Sequence, residues 1–177
     1  METYIAMLRG INISGHKMIK MARLEALFTE LNFKNIRTYI QSGNVIFENK
    51  KTDQKELAKQ IETKILQSTG FQVPVTIQNR KEILVILENN PFLNSRNEDI
   101  NMLFVTFLDS EPNAEDIKKV QELDYDSDEF VVSGKEIYGF CPNGYGRTKL
   151  NTNFFEKKFR TTATARNWKT VQKLGIL

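Results

Sequence analysis

The sequence predicts an α+β fold built twice over. Two observations carry that prediction: a strand, helix, strand, strand, helix, strand order that occurs before residue 79 and again after residue 100, and apolar spacing that alternates between strand and helix periods; the Ser-Gly pair at the turn of each expected hairpin, Ser42-Gly43 and Ser133-Gly134, accompanies them and carries nothing alone. The duplication is read from element order, not from residue identity.

In the first copy, Thr3 to Leu8 is a short apolar run stopped by Arg9-Gly10, the pattern of a strand buried on both faces. Met21, Leu24, Leu27, Phe28 and Leu31 then line one face of a helix. Ile36 to Gln41 and Asn44 to Glu48 are rich in β-branched and aromatic residues and read as a hairpin. Thr52-Asp53 with Glu56 resembles a capping box, Leu57, Ile61 and Ile65 repeat at four, and Gly70 stands where a C-terminal cap belongs. Val73, Val75 and Ile77 alternate with polar residues, and Pro74 marks an edge strand.

Arg80 to Glu88, closed by Asn89-Asn90-Pro91, reads as a connecting helix. The second copy starts with a strand at Asn101 to Leu108 and a helix marked by Ala114, Ile117, Val120 and Leu123. A hairpin at Glu129 to Val132 and Ile137 to Cys141, a helix around Phe154, Phe155 and Phe159, and a short strand at Thr161 to Ala165 complete it. Trp168, Val171 and Leu174 mark a terminal helix, with Trp168 on its core face. This order is the split βαβ, or ferredoxin-like, unit. The expected organisation is an N-terminal half at 1–79, a connecting segment at 80–99, and a C-terminal half with its terminal helix at 100–177.

Composition excludes more than it identifies. With 177 residues, 40% hydrophobic and 27% charged, the chain is neither collagen-like, coiled-coil nor disordered. A net charge of +3 permits an anionic partner without requiring one. One cysteine, Cys141, and one histidine, His16, leave too few ligands for a structural zinc site, and no metal or cofactor is expected. A reducing cytoplasm is the expected location, without a targeting leader or any apolar stretch near the roughly 20 residues of a membrane span. No membrane partner is expected, and the oligomeric state is not readable.

Several segments together resemble one family. Tyr4 to Asn12, reading YIAMLRGIN, Thr38 to Val45, reading TYIQSGNV, Asn90-Pro91-Phe92, Gly146 to Leu150 and Thr164 to Val171 are similar to the family known as domain of unknown function 1697, across nearly the whole chain. The resemblance implies a cytoplasmic, bacterial-type protein with tandem ferredoxin-like halves, and it implies no established reaction.

Right-handed crossovers send the loop after the first strand and the first hairpin to one end of the sheet. That end gathers Arg9, Asn12, Ser14, His16 and Lys17 with Gln41, Ser42 and Asn44, a surface without carboxylates. The motif segments contain no Asp or Glu, which disfavours carboxylate acid/base catalysis, and Ser42 lies in a turn without a nucleophile elbow. Asp109 to Glu136 holds ten acids against three lysines, a net −7 read as solvated surface rather than a calcium loop. Gly144 to Leu177 holds eight bases against Glu156, a net +7. That run either grips phosphates or neutralises the acidic one.

The favoured function is binding of a phosphorylated or other anionic small molecule in a polar, cationic cleft between the halves. Its expected ligands are Arg9, Asn12, His16, Gln41, Ser42 and Asn44 from one half and Arg147, Lys149, Arg166 and Asn167 from the other. A nucleic-acid-binding ferredoxin-like module ranks second, because Lys135 to Phe140 matches the RNA-reading pattern only faintly. The third reading is an enzyme on an anionic substrate, with His16 or Lys149 as acid/base and no assignable reaction.

Overall fold

A computed structural model describes residues 1–177, which divide into two compact units, Met1–Ile83 with Leu177, and Leu84–Ile176. The first unit contains β1 (Glu2–Leu8), α1 (Met21–Glu30), β2 (Lys34–Tyr39), β3 (Asn44–Asn49), α2 (Gln54–Thr69) and β4 (Val75–Asn79), in a sheet ordered β2-β3-β1-β4 with antiparallel neighbours. Helix α3 (Arg80–Glu88) follows, then α4 (Pro91–Arg96). The second unit contains β5 (Leu103–Leu108), α5 (Ala114–Gln121), β6 (Glu129–Ser133), β7 (Glu136–Phe140), α6 (Thr152–Phe159), β8 (Ala163–Asn167) and α7 (Trp168–Ile176). Its sheet is ordered β6-β7-β5-β8, again antiparallel throughout.

Every α-helix except α1 has its N-terminus capped by an Asp or Asn side chain. Asp53 caps α2 by accepting from the Lys55 and Glu56 amides, and Gly70 ends it at a φ of 74° that glycine adopts without strain. Leu57, Ile61 and Ile65 then meet Tyr4, Ala6 and Leu8 of β1 and Leu24, Leu27 and Phe28 of α1 in one buried cluster. In the second unit Phe104, Leu108, Val120, Phe155 and Phe159 form the corresponding cluster, and α7 lies against β5 and β8 with Trp168 fully buried. Residues Tyr4 to Leu8 and Leu103 to Leu108 are all buried, so of these two strands only Glu2 and Thr3, at the start of β1, reach water.

The two units repeat the same joints. At the end of β1 the Leu8 amide donates to the Gly43 carbonyl at 2.8 Å and the Arg9 amide to Pro74 at 2.9 Å. At the end of β5 the Leu108 amide donates to Lys135 at 2.8 Å and the Asp109 amide to Thr162 at 3.0 Å. Each first strand is thus tied to its hairpin and to the residue just before its last strand.

Several elements differ in extent from the expectation, among them β8, which runs Ala163–Asn167 and not Thr161 to Ala165. The first hairpin turns on four residues, Ile40 to Gly43, because β2 stops at Tyr39 and Ile40 takes a φ of 52°. Strand β4 starts at Val75, since Pro74 has no amide to give the ladder and offers its carbonyl to Arg9. Asn90-Pro91, a stop signal in the sequence, instead opens a further helix, α4: Asn90 caps it by accepting from the Phe92 amide, and Pro91 occupies its first turn.

Candidate functional site

The loop after β1 and the first hairpin do meet. Asn12 Nδ2 donates to the Gln41 carbonyl at 2.8 Å and to Ile19 at 2.9 Å, while its Oδ1 accepts from the Ile19 amide at 2.7 Å. The Asn12 backbone amide, which donates to the Lys17 carbonyl at 3.2 Å, and the Ile13–His16 bridge close the loop on itself, and the Asn12 side chain fastens it to the hairpin. Asn44 is fully buried, and its Nδ2 donates to the Tyr39 carbonyl at 3.0 Å and to Ser42 Oγ at 2.9 Å. Both asparagines thus spend Nδ2 on backbone and turn, which builds this end of the sheet. Lys17 Nζ donates to the Gln72 carbonyl at 2.6 Å. His16 and Gln41 are exposed and Arg9 is half-buried.

The C-terminal cations separate into two places. Arg147 and Lys149 line a cavity of about 240 Å³ together with Tyr125, Asp126, Asp128 and Asn143. Lys149 Nζ lies 3.4 Å from Asp126, and Arg160 lies 2.8 Å from Asp116, so part of the basic run does pair with the acidic one. Arg166 and Asn167 line another cavity, of about 200 Å³, with Leu103, Phe104 and Tyr145, and none of its lining residues is acidic. Asn167 Oδ1 caps α7 by accepting from the Thr170 amide at 2.8 Å. Arg166 stands in β8 opposite Val105, half-buried, with one guanidinium nitrogen 2.9 Å from the Ala165 carbonyl. Burial pulls its guanidinium down to about 10, and Tyr145 acts the other way.

Two residues outside the expected set matter here. Tyr145 packs edge-on against Phe104, with ring centroids 4.9 Å apart, and forms the wall beside Arg166. Asp128 accepts from Thr148 Oγ1 at 2.6 Å within the larger cavity. The only sequence signal for Tyr145 was an aromatic between two glycines; the carboxylate of Asp128 was hidden in a run of similar acids.

Cys141 lies beneath Asp128 and Thr148, fully buried, and burial first, with Asp128 adding to it, pushes the thiol up to about 12 while Thr148 pulls it back. At pH 8 roughly one thiol in 10⁴ is then ionised, and thiolate is the reactive form. Ellman's reagent is accordingly expected to label the native chain no faster than it unfolds and to label it at once in urea. Immediate stoichiometric labelling of the native chain contradicts this burial.

Comparisons with known proteins give a family and a structural likeness. A family model described as "Protein of unknown function (DUF1697)" matches residues 1–138. The chain is also similar to a solved structure, the conserved bacterial protein SP0830 from Streptococcus pneumoniae, with a TM-score of 0.76 and 26% identity over 99% of this chain and 97% of that one. No curated protein matches.

Proposed function

Since the chain belongs to the DUF1697 family, described as proteins of unknown function, we propose from the chemistry of its own cavities that it binds a phosphorylated or otherwise anionic small molecule through Arg166. The observation that carries this reading is the half-buried guanidinium in the wall of a cavity of about 200 Å³ without an acidic lining residue. An arginine does not give up its proton in a protein, so the downward pull on Arg166 is the cost of keeping a charge where water is scarce. An anion entering the cavity offsets that cost, and a planar guanidinium fork is shaped to donate two parallel hydrogen bonds to a phosphate or carboxylate. The volume suits one phosphate or a small organic acid; larger molecules leave most of their surface outside. The larger cavity is a poorer anion site, because Asp126 and Asp128 already stand in it.

The same reading takes each unit as a ferredoxin-like half and the pair as an internal duplication, with halves at 1–79 and 100–177 joined through 80–99. The repeated strand order and the repeated backbone joints at Leu8 and Leu108 support it. No helix is long and apolar enough to cross a membrane, and a cytoplasmic location fits the single buried thiol. The nucleic-acid alternative loses ground because the burial of Tyr4 to Leu8 and Leu103 to Leu108 leaves no exposed aromatic row on a central strand.

A thermal-shift screen of inorganic phosphate, sugar phosphates, nucleotides and short oligonucleotides tests the proposal. A ligand at 100 times its Kd is expected to stabilise the chain by about 2.7 kcal/mol. Arg166→Lys keeps the charge and loses the fork, so it should abolish most of that shift. Tight oligonucleotide binding that falls steeply with salt and ignores Arg166→Lys would replace this reading with the nucleic-acid one.

A further inference from the structure

The cavity of about 240 Å³ in the second unit is lined by charge of both signs, and its groups are held with unequal firmness. Asp128 is the firm one. Its Oδ2 accepts from Thr148 Oγ1 at 2.6 Å, and Thr148 is itself buried. A carboxylate gripped from the core side keeps its orientation with the cavity empty or filled. Arg147 belongs to the single 3₁₀ turn Tyr145–Arg147, braced by its own amide on the Gly144 carbonyl at 3.2 Å and by the Thr148 amide on Tyr145 at 3.2 Å. Its guanidinium makes no hydrogen bond or ion pair within the chain. Asp126 and Lys149 approach to 3.4 Å with side chains 78% and 66% exposed, a contact that water screens and a ligand can displace at little cost.

A lone anion in this cavity meets Asp126 and Asp128, and a lone cation meets Arg147 and Lys149. A small molecule carrying both charges satisfies each set and leaves neither opposed. The volume lies below the roughly 300 to 1,000 Å³ of a drug-sized pocket, which limits the occupant to a few heavy atoms. We infer that this cavity binds a small zwitterion of the free α-amino acid class, its carboxylate on Arg147 and its ammonium on Asp128. Asn143 Nδ2, bonded to Ser127 Oγ at 3.1 Å, places neutral polar groups along the same wall. The inference concerns a different cavity from the one holding Arg166 and stands or falls separately from it.

The test is an amide-resolved NMR titration of the full chain with L-amino acids, and with propionate and ethylamine as paired controls. Propionate is alanine without its ammonium, and ethylamine is alanine without its carboxylate. At least one small amino acid is expected to shift the Ser127 and Gly144 amides and the Asn143 side-chain amide, and to bind about tenfold or more tightly than either control does. Arg147→Gln should weaken that binding by about tenfold or more, and Asp126→Asn by less. Arg166→Gln should leave it unchanged. Because Arg147 and Asp126 are exposed and outside the core, unchanged melting of both variants is expected to show that the fold persists. Three results would overturn the inference: no shift of these signals with any amino acid up to about 20 mM, propionate binding as well as the zwitterions, or full affinity in Arg147→Gln.

Discussion

Replacing Gly139 with alanine should cost about 3 kcal/mol of stability or more, an unusual penalty for a single methyl group. A Cβ built on Gly139 falls 2.0 Å from Phe104 Cζ and 2.2 Å from Cε1, well inside contact distance. The ring cannot simply turn aside, being 2% exposed, packed edge-on by Tyr145 and set in the core of the second unit. Gly139 does not have a positive φ, so the whole penalty is collision. The two residues are register partners between β5 and β7, as Tyr4 and Phe47 are between β1 and β3. In the first unit that position holds two stacked rings 5.7 Å apart; in the second it holds one ring lying over a missing side chain. The expected signature is therefore coupling. Phe104→Leu alone destabilises, and adding Gly139→Ala to it should cost far less than Gly139→Ala costs the parent. Additive losses in urea melts would show that the collision does not set the penalty.

That pair illustrates what a sequence can and cannot display. Strand and helix periods are local, so the runs at Tyr4 to Leu8, Leu57 to Ile65 and Trp168 to Leu174 announce their elements and their buried faces. A glycine in Ile137 to Phe140 does not announce which ring crosses it, because the partner lies more than thirty residues away. Asn90-Pro91 carries two local meanings, the stop of one helix and the cap and first turn of the next, and only α4 itself selects the second. The site was hardest to read. An asparagine looks the same whether its amide meets a ligand or the backbone, and Asn12 and Asn44 both meet backbone carbonyls. Arg147 and Arg166 carry the same charge within twenty residues, yet α6 folds between them and each lines a different cavity.

The two hairpin glycines separate backbone strain from crowding. Gly43 has a φ of 82° and Gly134 a φ of 61°, a left-handed region that costs an alanine roughly 1 to 2 kcal/mol at either position. Around them the space differs. A Cβ on Gly43 would stand 2.7 Å from Ile11 Cδ1 and 2.8 Å from Leu8 Cβ, and the latter is fixed to the backbone of β1. A Cβ on Gly134 meets nothing closer than Glu136 Oε2, at 3.8 Å. Alanine at Gly134 should then cost about 1 to 2 kcal/mol, and at Gly43 about 3 to 5 kcal/mol, the difference being overpacking against two buried side chains. Loss of unfolded-state freedom favours both variants equally and cancels in the comparison. Gly43→Ala has a second consequence that Gly134→Ala lacks, since relieving the contact moves the hairpin to which Asn12 is fastened through the Gln41 carbonyl. Amide exchange at Ile19, whose N–H is held by Asn12 Oδ1, should therefore accelerate in Gly43→Ala and stay slow in Gly134→Ala. Equal melting losses for the two variants, with Ile19 equally protected in both, would mean that the loop after β1 is held by something other than this hairpin.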